Sequence, residues 1–220
     1  MVSNIQVPTA VSKFERNQRQ FHVRLCLDVN KINFSTIEKS KYFKEKSNDQ
    51  SGPKYLFTSN PDENFAILDG NSGVFEIVYS SAQNETMFDR TVLDVVREMV
   101  ATFYEGDQLV KGGNYIAFKT APKINDLEKT YSLVVAPFLT ISRPVLGFQS
   151  SISSASYTVP NKPYTFELVY KVSPTLFFIE FYAGINPENP VNIDILDEMH
   201  DEMLKHFVYY YNLIEKEQQQ

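Results

Sequence analysis

Residues 21–29 alternate without a break. Phe21, Val23, Leu25, Leu27 and Val29 fall on one side, and His22, Arg24, Cys26 and Asp28 on the other. Side chains of an extended chain point to opposite faces in turn, so this period marks a strand with one buried face. Residues 164–172 carry the same signal. Tyr164, Phe166, Leu168, Tyr170 and Val172 alternate with Thr165, Glu167, Val169 and Lys171. A chain with such segments must build a sheet and cover at least one side of it. Its 17 Phe and 13 Tyr suit a pleated, half-buried surface.

Two segments supply helical cover. Over residues 84–105, Phe88, Val92, Val95, Val96, Met99 and Phe103 recur at helical spacing. Asn84 offers a cap at the start, Glu85 favours the positive end of the helix dipole, and Gly106 offers a stop. Arg90, Asp94, Arg97 and Glu98 lie on the outer side. Over residues 193–214, Ile193, Leu196, His200, Met203, Phe207, Tyr210 and Ile214 form a second stripe. Further strands are expected at 65–68 and 74–79, joined by Asp69-Gly70-Asn71-Ser72-Gly73, and at 115–118, 131–136, 138–141 and 176–182. Residues 35–52, with Lys39, Lys41, Lys44 and Lys46, read as a short helix or mobile loop. Residues 147–156 read as an exposed loop. The order strands, helix, strands, helix lacks regular βαβ alternation. It predicts an α+β fold on a mainly antiparallel sheet. Residues 1–20 read as an N-terminal arm and 21–217 as a single domain.

Composition narrows the function. A formal net charge of -6 gives no general attraction for phosphate backbones, so nucleic-acid binding is not expected. The lone Cys26 cannot form an intramolecular disulfide or a Cys-rich zinc site, which favours a reducing compartment. Residues 1–20 lack the apolar stretch of an export signal, and no apolar run reaches the ~18–20 residues of a membrane span. The expectation is a soluble, cytoplasmic protein with no cofactor and no metal. Gly112-Gly113 is followed by neither Lys-Ser/Thr nor a helix, which excludes a phosphate loop.

The closing segment opens with Leu196-Asp197-Glu198-Met199-His200 and carries Phe207 beyond it. With the strands, central helix and further strands before it, this resembles an uncharacterised, sporadically distributed bacterial protein family with a C-terminal Leu-Asp-x-x-His helix. The resemblance spans residues 65–214. It departs at the front, where the proline-rich opening of the family is missing. It implies a bacterial or phage-related setting and carries over no mechanism.

Candidate residues fall into three groups. His200 interrupts an apolar stripe, and Asp197 lies one helical turn back, where a carboxylate can hold an imidazole proton. This is either an acid–base pair or a buried His that fixes the helix to the sheet. His22 and Arg24 share one face of a strand, and Glu180 interrupts the apolar run 176–182. Together they make either a polar pocket or an ordinary exposed sheet face. Cys26 on that face reads as a half-buried bystander. Tyr209, Tyr210 and Tyr211 point around a full helical turn, so at least one turns away from the core, as interface Tyr do. Asp194, Asp197, Glu198, Asp201 and Glu202 read as the solvated, dipole-favoured start of a helix, and His200 and His206 lack His-x-x-x-His spacing.

Residues 176–182 are apolar on both sides: Phe177, Ile179 and Phe181 face one way, Phe178 and Tyr182 the other. Such a strand is covered on both faces. Two readings follow. One is a non-catalytic binding or assembly module that self-associates or holds a protein partner. The other is a small enzyme using His200 and Asp197, with Glu180 or Arg24 nearby.

Overall fold

The computed structural model describes residues 20–60, 64–80, 91–120, 151–158, 160–173 and 176–218. The expected strands 131–136 and 138–141, the N-terminal arm and the opening of the 84–105 helix lie outside these residues. The fold is α+β, built on a large antiparallel sheet.

The alternating segment becomes β1 (Gln20–Cys26). Phe21, Val23 and Leu25 are buried, while His22 and Arg24 are half-buried on the other face. β1 stops short of Val29 because Asp28 turns the chain. Its side chain accepts the Asn30 N–H at 3.0 Å and opens a single 3-10 turn, Val29–Lys31. A one-turn helix, α1 (Phe34–Ile37), follows.

The chain then makes a meander of β2 (Phe43–Asp49), β3 (Gly52–Asn60), β4 (Asn64–Asp69) and β5 (Val74–Ser80). The turn before β5 closes at Gly73, whose φ of +69° and close approach to the Leu27 carbonyl both exclude a side chain. The expected hairpin of 65–68 with 74–79 is present as β4 and β5. The second half holds β6 (Gln108–Leu109), β7 (Asn114–Thr120), β8 (Ser151–Thr158), β9 (Thr165–Ser173), β10 (Leu176–Ile185) and β11 (Val191–Asn192). Nine of the described strands form the main sheet in the order β2-β3-β4-β5-β1-β7-β10-β9-β8, and β6 pairs with β11. The first strand therefore sits centrally, between the meander and the second half.

Two expectations need correction. Residues 35–52 hold an edge strand, β2, in addition to the short helix, and 147–156 overlap the strand at the other edge, β8. β2 pairs its backbone with β3, while its side chains from Lys44 to Asp49 stay exposed. An edge strand of this kind shows no buried period, and its charges discourage pairing with other chains.

The helices α2 (Thr91–Ala101) and α3 (Ile195–Gln218) lie on one face of the sheet. Val92, Leu93, Val96, Met99 and Val100 of α2 are buried there with Phe57, Phe75 and Ile77. Among the described residues α2 ends at Ala101, ahead of the expected Glu105. Phe103 must reach the Phe57 and Phe75 rings, at 5.3 and 5.8 Å, and Tyr104 leaves the helix to bridge with Ile32. Asp194 stands directly before α3, as its chemistry suggests, and Ile193 N–H donates to the Asp107 carbonyl at 2.7 Å. α3 runs past residue 214 through Glu215-Lys216-Glu217-Gln218, all good helix formers.

Candidate functional site

The period-two geometry of β1 divides the candidate residues between the two faces of the sheet. His200 is on the helical side, with no exposed surface. Its ring meets the Phe21 ring edge-on at 5.8 Å and 78°, and its Nδ1 lies 3.8 Å from an Asp201 carboxylate oxygen. Asp197 does not turn to His200. It accepts from Arg97 Nη2 at 2.6 Å, and Arg97 Nε lies 3.7 Å from Asp194. These contacts tie α2 to α3. His22, Arg24 and Glu180 stand on the opposite face, so the backbone of the sheet separates them from His200. The set His200, Asp197, Glu180 and Arg24 is not brought together.

The opposite face, helix-free among the described residues, assembles His22, Arg24 and Glu180 into one polar cluster. Register places Arg24 opposite Glu76 of β5 and Tyr115 of β7, and Lys119 of β7 opposite Glu180 of β10. Arg24 Nη1 reaches Glu76 at 2.6 Å, and Lys119 reaches Glu180 at 3.1 Å. The Tyr115 hydroxyl lies 3.3 Å from either ring nitrogen of His22. The Tyr115 ring meets His22 edge-on at 5.0 Å and Tyr182 at 4.7 Å. Burial pushes the Tyr115 phenol up to about 12, helped by Glu76. Burial also raises the Tyr182 phenol and the Cys26 thiol. A neutral phenol packed on a half-buried imidazole, between two ion pairs, leaves little uncompensated charge.

Beside this cluster the face turns apolar. Phe65 and Ile67 of β4 are each 45 % exposed and Val78 of β5 is 37 % exposed. Phe65 is opposite Val78, Ile67 is opposite Glu76, and Val78 is opposite His22. Lys44 lays its ammonium 5.2 Å above the Phe65 ring. A shallow cleft of about 340 Å³ runs between Ile67, Arg24 and Lys54.

The sequence signal for this patch lay in Phe65-Ala66-Ile67-Leu68, which is apolar at every position. Like 176–182, it is apolar on both sides. Here Ala66 and Leu68 are sealed in the core, and Phe65 and Ile67 meet solvent. Along β10 the described side chains Phe181 and Tyr182 face opposite ways as expected, buried and half-buried respectively. Sequence reading also passed over Asn114, which is fully buried. The backbone of α3 runs through Tyr209, Tyr210 and Tyr211, and their side chains lie outside the described residues. The basic run from Lys39 to Lys46 is drawn into local contacts: Lys41 with Glu98, and Lys46 5.3 Å above Tyr55.

His22 makes stability pH-dependent. Burial pushes its imidazole below the ordinary 6.5, against the pull of Glu76 and Glu180 and with the push of Lys119 and Arg24. Burial lowers His206 as well, where its ring lies 5.3 Å from Phe166. Between the folded value and 6.5 the unfolded chain binds protons that the folded chain does not. Stability is therefore full above 6.5 and falls as pH drops through that value toward the folded pKa. Urea midpoints should decline between about pH 8 and about pH 5.5, and His22→Gln should shallow that decline. A midpoint that climbs on acidification would contradict the assignment.

Among the described residues, no group of three or more His, Cys, Asp or Glu is placed to hold a metal ion. Also among them, no helix is long and apolar enough to cross a membrane. No protein-family model matches the chain, and no curated protein does. Among solved structures, Methanococcus jannaschii TBP is similar over 88 % of this chain and 94 % of its own, at 8 % identity and a TM-score of 0.35. A likeness that low carries no argument.

Proposed function

We propose that this chain is a non-catalytic binding or assembly module that holds a protein partner on the helix-free face of its sheet. The observation that carries this reading is the contiguous exposure of Phe65, Ile67 and Val78 beside Tyr115 and His22. Large apolar side chains grouped on one face, rimmed by polar groups, are the mark of a protein contact surface. The cations of the face support a protein over a nucleic acid. Arg24, Lys54 and Lys119 are each held by a carboxylate, which weakens their hold on a phosphate backbone. Separation of His200 from the polar cluster by the sheet weighs against the enzyme reading.

Hydroxyl-radical footprinting tests the proposal. Phe65, Tyr115 and Tyr182 should be readily modified in the isolated chain at high dilution and protected in a native extract of its host. Equal reactivity in both settings would remove the reading.

A further inference from the structure

We propose that the occupant of this face is a second copy of the same chain, docked sheet against sheet about a two-fold axis. This rests on the reading of the helix-free face as a protein contact surface and names its partner.

A chain of net charge -6 repels its own copy over most approaches. The excess of acid concentrates elsewhere: Asp194, Asp197, Glu198, Asp201 and Glu202 crowd the start of α3, in the helical layer. On the helix-free face, Arg24, Lys54 and Lys119 stand among Asp49, Asp69, Glu76, Glu167 and Glu180, so both signs are present, and Lys54 reaches Asp49 at 2.6 Å. Register fixes that placement. Lys54 is opposite Asp69, Arg24 is opposite Glu76, and Lys119 is opposite Glu180. Each of these three cross-strand pairs holds both signs.

A two-fold contact lays one patch on itself, so only a self-complementary patch can form it. A face that was basic throughout or acidic throughout would instead select a partner of the opposite charge. Pairs of mixed sign beside Phe65, Ile67 and Val78 meet the two-fold requirement. The Arg24–Glu76 and Lys119–Glu180 pairs also keep their partners when covered, so these four charges stay compensated on docking. The geometry is that of a sandwich, in which two sheet faces stack about 10 Å apart with apolar side chains between them.

Sedimentation velocity on the full chain over a wide concentration range is the test. The wild type should show a monomer–dimer equilibrium. Ile67→Asp and Phe65→Lys should each weaken dimerisation about tenfold or more, because a central apolar contact becomes a buried lone charge. Phe34→Ser replaces an exposed aromatic on the helical side and should leave the equilibrium unchanged. Footprinting of the wild type guards against variants that fail to fold. Protection of Phe65 and Tyr115 should grow over the same concentrations as the dimer. A wild type that stays monomeric throughout overturns the proposal, as does a dimer that persists in folded Ile67→Asp or one that leaves Phe65 reactive. A monomeric wild type whose face is protected in native extract would sink the self-pairing alone. A face that is reactive in both settings would sink the contact surface with it.

Discussion

Replacing Phe57 with alanine should destabilise the fold by about 3–5 kcal/mol, the range for truncating a buried Phe that the surroundings cannot collapse upon. Phe57 has no exposed surface. Its ring is 5.3 Å from that of Phe103, 6.0 Å from Phe75 and 6.5 Å from Phe43. Those rings come from just past the end of α2, from β5 and from the edge strand β2, so Phe57 is where the helical layer, the meander and its edge meet. Each neighbour is fixed by a different element. None can move into the vacancy without dragging its backbone, and the cavity remains. Phe57→Leu keeps most of the volume and should cost less than about 1.5 kcal/mol. Urea unfolding of the two variants, compared at equal m-value, checks both figures. A loss below about 1 kcal/mol for Phe57→Ala would mean that the aromatic cluster does not hold the layers together.

Asn114→Ala should be the next most damaging change, although it removes a polar group. Asn114 is fully buried at the start of β7. Its Oδ1 accepts the Cys26 N–H at 2.6 Å, and its Nδ2 donates to the carbonyls of Val110 at 3.0 Å and Gly112 at 3.2 Å. One side chain thereby satisfies the end of β1 and pins the turn that leads into β7. Alanine would leave the Cys26 amide buried without an acceptor, at about 1–3 kcal/mol, and would strip both carbonyls of a donor. A total loss of about 2–3 kcal/mol is expected. Hydrogen exchange gives a local readout: the Cys26 amide should lose protection by more than its neighbours Arg24 and Leu25. Unchanged exchange at Cys26 would show that this amide does not depend on Asn114.

The elements legible in the sequence are those whose side chains alternate between core and water. β1, β9 and the stripe of α2 announce themselves by period, and the β4–β5 hairpin by its Asp69-Gly70-Asn71-Ser72-Gly73 turn. The edge strands β2 and β8 do not. A strand with one neighbour is held by backbone hydrogen bonds, and backbone hydrogen bonds leave no mark on residue type. The end of α2 was misplaced for a related reason. Gly106 was a plausible stop, but the chain leaves the helix earlier so that Phe103 can reach Phe57 and Tyr104 can pair with Ile32. Both partners are distant in sequence.

The candidate site was legible in pieces. Putting His22 and Arg24 on one face followed from counting by twos, and so did placing Glu180 against the grain of β10. Their partners did not follow. Glu76 and Lys119 are unremarkable in their own segments. They become ion-pair partners because β1 inserts between β5 and β7, and β10 pairs with β7. The pairing of His200 with Asp197 looked sound on an isolated helix. Asp197 went to Arg97 instead because α2 packs beside α3 and offers a guanidinium.

The sequence by itself determined the local alphabet of this protein: which segments extend, which coil into helices, and which side of each is apolar. Those properties depend on neighbours a few residues away, and period reports them directly. Only the tertiary structure decided strand order, and with it which residues share a face. It set Phe65 and Ile67 in solvent while sealing Ala66 and Leu68, and it separated His200 from Arg24 by the thickness of a sheet. Pairing across long stretches of chain is selected by the packing of the whole core, a sum over many contacts that no single segment records.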